Sequence, residues 1–224
     1  MGSNVNQGEA ESLYRAVRAV QPVTSVEVGF GQGISALAIL QAMKDNGVGH
    51  HHVIDPFQDT FSDAGVAMTE RAGFDAMRTF YRKFADEVVP GLPQLDFAFI
   101  DASHLFDLTL SEFVMVDRKL RTGGLVAFHD MWMSSQRALI RYILANRSYE
   151  IVREFASPDQ NVKPISLRRR LMRTLTPLLK LLPMHERIFS TEVLTPFWTL
   201  NISNLVVLRK TADDSRHWTF HQKF

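Results

Sequence analysis

Cysteine is absent from the 224-residue chain. Without a thiol, the protein cannot contain a disulfide, a cysteine-ligated zinc, an iron–sulfur cluster or a cysteine nucleophile. An excess of one charge sign is absent as well, since 25 Lys and Arg oppose 24 Asp and Glu and leave a net charge of +1. General nucleic-acid binders are strongly basic. We therefore expect no nucleic-acid partner.

Long hydrophobic runs are also missing. No stretch approaches the roughly 18 consecutive apolar residues that a membrane span needs, and the N-terminal sequence MGSNVNQGEAES has no apolar signal core. We expect no transmembrane segment and a cytoplasmic location. Hydrophobic residues make up 46% of the chain, which is enough for one full-sized core. The prediction is a single domain over residues 1–224, with a helical N-terminal segment over residues 1–22.

Short β-like runs alternate with longer helix-like segments along the chain, which is typical of an α/β fold. The predicted helices are 9–20, 34–46, 66–78, 105–120 and 134–146. The predicted strands are 23–28, 52–54, 79–84, 97–100, 125–128, 149–155 and 204–208. Segment 79–84 could equally continue the preceding helix. The uninterrupted apolar runs 97–100 and 125–128 predict strands buried on both faces, in the middle of the sheet.

Segment 157–200 interrupts this alternation and is predicted to be an inserted helical lid before the last strand. Residues 165–190 within it carry six basic residues against one acidic residue. This local basicity leaves a non-catalytic alternative open, in which the segment lies on an anionic membrane surface. Pro177 and Pro183 interrupt the continuous apolar face that such docking prefers, which favours a lid or a dimer helix.

A glycine-rich loop, EVGFGQG, follows the first predicted strand. Gly29, Gly31 and Gly33 permit positive φ angles, and the helix that follows offers free N–H groups to an anionic ligand. The spacing also fits a dinucleotide fingerprint with Asp55 as the ribose-binding acid, so an NAD(P)-dependent oxidoreductase is an alternative. The Glu27 carboxylate suits a ligand with an ammonium group better than a pyrophosphate. Ammonium, carboxylate and ribose hydroxyls together describe S-adenosylmethionine.

A second set of polar residues follows two later strands. Asp101 comes directly after one buried strand with His104 three residues on, and His129-Asp130 ends the next. Carboxylate oxygens and water suit Mg²⁺, Ca²⁺ or Mn²⁺, and imidazole shifts the preference toward Mn²⁺, Fe, Zn²⁺ or Ni²⁺. A divalent ion here would acidify a substrate hydroxyl while His104 acts as general base. The histidines at 50–52 predict no metal site, because adjacent strand residues point in opposite directions.

Four ordered segments, EVGFGQG, VIDPF, DFAFIDASH and LRTGGLVAFHD, resemble the motifs of class I S-adenosylmethionine-dependent methyltransferases. More narrowly, FIDASH followed by GGLVAFHD is similar to the small-molecule O-methyltransferases that include macrolide-sugar and catechol-type enzymes. The resemblance covers roughly residues 20–155. It implies a Rossmann-like, doubly wound sheet that is mostly parallel, with an antiparallel last strand.

The resemblance also implies a cofactor site, with the methionine end near the glycine loop and the ribose on the acid that follows the second strand. The residues expected to bind the cofactor are Glu27, Gly29, Gly31, Gly33, Ser35, Asp55 and Asp101.

The same resemblance gives His104 the place of the general base in sugar methyltransferases, with Asp101 as its catalytic neighbour. The metal ligands would be Asp101, His129 and Asp130. Metal-dependent relatives usually place two acidic or amide residues where this chain has His129-Asp130, so a requirement for Mg²⁺ or Mn²⁺ is left open. The expected partners are a small-molecule acceptor and, through the inserted segment, a second copy of the chain in a homodimer.

Overall fold

The computed structural model describes residues 5–157, 171, 175–184, 200, 202–220, 222 and 224. Within them, seven strands form one sheet in the order β3-β2-β1-β4-β5-β7-β6. The strands are β1 (Thr24–Val28), β2 (His50–Ile54), β3 (Arg78–Tyr81), β4 (Leu95–Ile100), β5 (Leu120–Phe128), β6 (Tyr149–Ile151) and β7 (Val206–Lys210).

Six α-helices lie between residues 7 and 146. They are α1 (Gln7–Val20), α2 (Ile34–Asn46), α3 (Ala64–Arg71), α4 (Ala85–Val88), α5 (Phe106–Lys119) and α6 (Ser134–Asn146). Short 3₁₀ turns occupy Gln58–Phe61, Asp75–Met77, Val89–Gly91 and Arg153–Phe155.

The first five strands run parallel, and β7 inserts antiparallel between β5 and β6. This confirms the predicted Rossmann-like sheet with its antiparallel last strand. From β1 the chain moves outward to β2 and β3 and then returns to β4 on the other side of β1. The carboxyl ends of β1 and β4 therefore form the switch point, where open α/β sheets bind ligands.

Helices cover both faces of the sheet, as the apolar central strands require. Phe99 of β4 packs in one cluster with Leu13 of α1 and Ile39 of α2. The next residue, Ile100, points the other way and joins the cluster that contains Phe113 of α5. This alternation places successive β4 residues in separate cores and fixes the strand between two helical layers.

Three predicted elements are too long. The helix predicted over 66–78 ends at Arg71, because Gly73 takes a left-handed φ of +76° and a 3₁₀ turn follows. The strand predicted over 79–84 exists, but it occupies Arg78–Tyr81. The strand predicted over 149–155 ends at Ile151, where the chain turns into a 3₁₀ segment.

Residues 121–124, between the predicted helix 105–120 and the predicted strand 125–128, belong to strand β5, which begins at Leu120. The pairing with β4 changes register between Leu95 and Phe97. Gly123, at φ +82°, absorbs the irregularity without ending the strand.

The predicted lid over 157–200 and the basic segment 165–190 lie largely outside the described residues. Among the helices that are described, none is long and apolar enough to cross a bilayer.

Candidate active site

A cavity of about 700 Å³ opens at the carboxyl ends of β1, β2 and β4. It brings together most of the residues predicted from the sequence. These are Gly29, Gly31, Gly33, Ser35, Asp55, Asp101 and His104.

The glycine loop touches the end of β4 at Gly29. Gly29 has φ +93°, and a Cβ built there would lie 2.2 Å from the carbonyl oxygen of Asp101. Its N–H donates to the Ile54 carbonyl at 2.9 Å. Three strand ends therefore meet at one residue, and only glycine fits between them.

Asp55 holds the other side of the loop. Its Oδ2 accepts hydrogen bonds from the backbone N–H groups of Phe30 at 3.2 Å and Gly31 at 3.1 Å, and from Gln58 Nε2 at 2.8 Å. Its Oδ1 accepts from the Phe57 N–H at 2.8 Å. The structure thus gives this acid a loop-holding task that the sequence did not indicate.

Glu27 is fully buried beneath the loop and is not among the residues that line the cavity. Its carboxylate accepts a hydrogen bond from the Ser35 hydroxyl, and its Oε2 lies 3.1 Å from His51 Nε2. Burial raises the pKa of Glu27 well above its usual range. Both oxygens of Glu27 therefore already have protein partners. Direct contact between this carboxylate and a cofactor ammonium stays a prediction.

His104 lies between two carboxylates at the edge of the cavity. Its Nε2 is 3.0 Å from Asp101 Oδ1 and 3.1 Å from Asp130 Oδ2. Hydrogen bonding to Asp101 and then to Asp130 raises the pKa of His104 to about 9, against the opposing effect of burial. With this pKa, the ring is an imidazolium at neutral pH.

His129 is buried next to this group and does not line the cavity. Its Nε2 lies 3.1 Å from Glu9 Oε2, and its Nδ1 lies 3.4 Å from Asp101 Oδ2 and 3.3 Å from Asp130 Oδ1. Burial disfavours the charged ring, but contacts with Asp101 and Glu9 outweigh it and raise the pKa of His129 to about 10.

The backbone is strained at two residues of this group. His104 has φ +56° and Asp130 has φ +58°, the left-handed region that residues other than glycine rarely adopt. Ser135 Oγ donates to the His104 carbonyl at 2.7 Å, and Trp132 Nε1 donates to Asp130 Oδ1 at 2.9 Å. Such strain persists only where surrounding contacts enforce it, and it concentrates at functional sites.

The donor set fits a divalent cation. Ligand atoms of Asp101, His104 and Asp130 lie within 4.8 Å of one another. Nδ1 of His129 is buried, directed at the two aspartates and has no hydrogen-bond partner in the described part of the chain. The predicted ligands Asp101, His129 and Asp130 thus lie close together. His104 lies beside the two aspartates, within reach of the same ion.

Phe57, Phe84, Asp86 and Glu112 are among the lining residues that sequence reasoning missed. The two phenylalanine rings meet edge to face, with centroids 5.8 Å apart, and each is more than half exposed. Burial raises the pKa of Glu112 to about 7, and its Oε2 has no hydrogen-bond partner within the described residues. In the sequence Glu112 resembles any solvated position of α5, so only the fold identifies it.

Comparisons with known proteins agree with this geometry. Residues 26–131 match a family described as "methyltransferase domain" (Methyltransf_24). Comparison with curated protein sequences gives no match.

Several solved structures share the fold. The O-methyltransferase TomG from Streptomyces achromogenes, solved with SAM, aligns with a TM-score of 0.56 and 16% identity, over 67% of this chain and 74% of that one. An O-methyltransferase from Bacillus cereus, solved with SAH, aligns with a TM-score of 0.59 and 15% identity, over 68% of this chain and 76% of that one. A methyltransferase from Geobacter sulfurreducens aligns with a TM-score of 0.56 and 18% identity, over 66% of this chain and 73% of that one. Residues 26–131 thus match a methyltransferase domain, and the chain shares its fold with methyltransferases that were solved with SAM or SAH.

Proposed function

We propose that this protein transfers a methyl group to a hydroxyl oxygen of a small molecule or a sugar-containing metabolite, with His104 as the general base. The observation that supports this most is the imidazole held between Asp101 and Asp130 at the edge of the cavity, beside the glycine loop. The domain match favours this function over the NAD(P)-dependent alternative.

The cofactor side of the cavity is the glycine loop with Asp55 and Asp101. When bound, S-adenosylmethionine supplies a methyl group on a positively charged sulfur, and its C–S bond breaks as the new C–O bond forms. Asp55 would accept from the ribose hydroxyls, and the N-terminus of α2 would face the carboxylate of the methionine part. Phe57 and Phe84 offer an apolar surface to the adenine ring.

The base role of His104 follows from its tautomers. In the neutral ring, Nε2 keeps its hydrogen toward the carboxylates, and Nδ1 is the nitrogen that accepts a proton. Asp101 and Asp130 orient the ring and stabilise the imidazolium that forms when the hydroxyl proton arrives. A positive charge bound beside Asp101 would lower the His104 pKa and favour the neutral ring.

A metal would change the role of this same histidine. Asp101, His129 and Asp130 would hold the ion, which would supply Lewis acidity toward a substrate hydroxyl. Ligation by Nε2 of His104 would move the ring hydrogen to Nδ1 and end its role as base. A metal ligand and a general base at His104 are therefore mutually exclusive.

The acceptor and the assembly are predictions from the sequence. The cavity has room and apolar wall for a small molecule beside the cofactor. Homodimerisation and a cytoplasmic location stay predictions, and membrane contact through residues 165–190 is an alternative to be tested with anionic vesicles.

A thermal-shift experiment on metal-stripped protein tests the proposed function. S-adenosylhomocysteine at about 100 times its Kd adds about 2.7 kcal/mol, or several degrees for a domain of this size. NADH is the matched control and is expected to give no shift. A shift with NADH alone would reverse the assignment. Adding Mn²⁺ or Mg²⁺ to parallel samples tests the metal site, since a fitting ion raises the melting temperature by itself.

Asp55→Asn is expected to weaken S-adenosylhomocysteine binding about tenfold or more, because the amide keeps the shape but removes a charged acceptor. Asp59→Asn is the control, since Asp59 is an exposed neighbour that pairs with Arg82 at 3.5 Å. Isothermal titration calorimetry measures both variants. Equal affinities for the two would remove Asp55 from the site.

A further inference from the structure

A chain of buried polar contacts runs beneath the glycine loop and includes two residues that the proposed reaction does not use, Ser25 and His51. Ser25 Oγ lies 2.8 Å from His51 Nδ1, and His51 Nε2 lies 3.1 Å from Glu27 Oε2. The Ser35 hydroxyl donates to Oε1 of Glu27. His51 and Glu27 are both fully buried. The contacts thus connect the core of β1 and β2 to the first turn of α2.

Strand register explains why His51, and neither neighbouring histidine, takes part. Ser25 of β1 pairs with His51 of β2, and Glu27 pairs with Val53 two residues on. His51 therefore projects from the same face as Ser25 and Glu27. His50 and His52 project from the opposite face, where they contact Thr79 at 2.7 Å and Tyr81 at 3.1 Å.

Glu27 could not keep this position without a partner. A fully buried carboxyl group needs each oxygen hydrogen-bonded. Ser35 occupies Oε1, and His51 is the partner described for Oε2. If His51 were lost, the carboxyl group would have to find another partner, and Ser35 would move with it. Since Ser35 lines the cavity, such a movement would reach the cofactor site.

We propose that His51 is a positioning residue for the cofactor site, acting through Glu27 on Ser35 and the first turn of α2. The inference rests on the proposed function, because it assigns His51 an effect on cofactor binding. His51 itself does not line the cavity. Its effect is therefore on affinity through geometry, and no direct contact with the ligand is involved.

Two amide substitutions separate the contacts of the ring. In His51→Gln the amide reaches the position of Nε2 and keeps the contact with Glu27. In His51→Asn the shorter amide reaches the position of Nδ1, keeps the contact with Ser25 and leaves Glu27 without its partner. Loss of that buried hydrogen bond is expected to weaken S-adenosylhomocysteine binding about tenfold. His51→Gln is expected to bind within about threefold of the wild type, since the bond is retained.

His52→Gln is the matched control, since it makes the same substitution one residue away on the opposite face. Calorimetric titration with S-adenosylhomocysteine, with melting temperatures recorded alongside, measures all four proteins. Weak binding by His51→Asn with rescue in His51→Gln supports the inference. The inference is overturned if His51→Asn binds S-adenosylhomocysteine as tightly as the wild type does. It is also overturned if His51→Asn and His51→Gln bind equally weakly, because either substitution would abolish a purely structural role.

Two further results remain decisive. If His51→Asn does not fold, Ser25→Ala replaces it, because it removes the bond that orients the ring and, besides that, only a contact with Met43 Sδ at 3.3 Å. Weaker binding at an unchanged melting temperature then supports the inference, and unchanged binding overturns it. If the wild type itself does not bind S-adenosylhomocysteine, the proposed function fails, and the inference fails with it.

Discussion

Gly29→Ala is expected to abolish measurable S-adenosylhomocysteine binding and to lower the melting temperature strongly. The new Cβ would lie 2.2 Å from the carbonyl oxygen and 2.6 Å from the carbonyl carbon of Asp101. Both are backbone atoms of the neighbouring strand end, so no side chain can rotate away. An alanine at φ +93° would also be strained, however much space surrounded its side chain. Left-handed strain and overpacking together cost about 2–5 kcal/mol, or about 5–15 °C for a domain of this size.

Gly31→Ala is the matched control within the same loop. Gly31 also has a positive φ, +49°, but a Cβ there would meet no atom within 4 Å. The substitution is expected to cost about 1 kcal/mol, from backbone preference alone. Differential scanning fluorimetry and calorimetric titration compare the variants. If the two alanines lower stability and affinity equally, the contact between the loop and the end of β4 is not what fixes the site.

The sheet and the location of the site could be predicted because both depend on local patterns. The apolar run 97–100 identified a buried strand, and strand β4 covers it. The ends of neighbouring parallel strands meet at one edge, so Asp55, Asp101 and His104 had to lie near the glycine loop. The structure brings all three to one cavity.

Other features depend on contacts between distant segments and leave no local pattern. Glu9 reaches His129 from the first helix, where its spacing shows only a capping role with Asn6. Asn204, which donates to Glu9 Oε1 at 3.0 Å, precedes the last strand and is 195 residues away. The partners of Glu27 likewise follow from strand register and helix packing, which a single sequence does not specify.

His104→Gln is expected to lower kcat about 10²- to 10⁴-fold, the usual contribution of a general base. Its Kd for S-adenosylhomocysteine should stay within about threefold, because the amide still donates to Asp101 or Asp130. Transfer of labelled methyl from S-adenosylmethionine to a panel of catechols, phenols and glycosides measures kcat. His217→Gln is the control, since His217 is exposed and contacts Thr219 at 2.9 Å. Equal loss of kcat and affinity would count against a base.

The pH profile tests the same assignment independently. With a pKa of about 9, His104 is protonated below that pH and cannot accept a proton. In metal-free buffer, kcat/KM for S-adenosylmethionine, which reports the free enzyme, should therefore rise with pH, about tenfold per unit well below the pKa, and level off above it. Asp130→Asn removes one of the two carboxylates that raise this pKa, so the rise should move to lower pH. A profile that is flat from about pH 6.5 to 9, or unchanged in His104→Gln, contradicts the assignment.

Metal dependence and Mn²⁺ affinity together decide between the two roles of His104. If EDTA leaves kcat and its pH profile intact, the imidazole acts as base between Asp101 and Asp130. If activity requires Mn²⁺ and His104 is one of its ligands, His104→Gln should weaken Mn²⁺ binding together with kcat. If the ion is held by Asp101, His129 and Asp130 while His104 stays the base, His104→Gln should lower kcat and leave Mn²⁺ binding nearly unchanged. His129→Gln separates these cases further, because its buried Nδ1 is directed at the same two aspartates. In a metal enzyme this variant should lose activity that added Mn²⁺ restores, whereas in a metal-free enzyme added Mn²⁺ should change nothing.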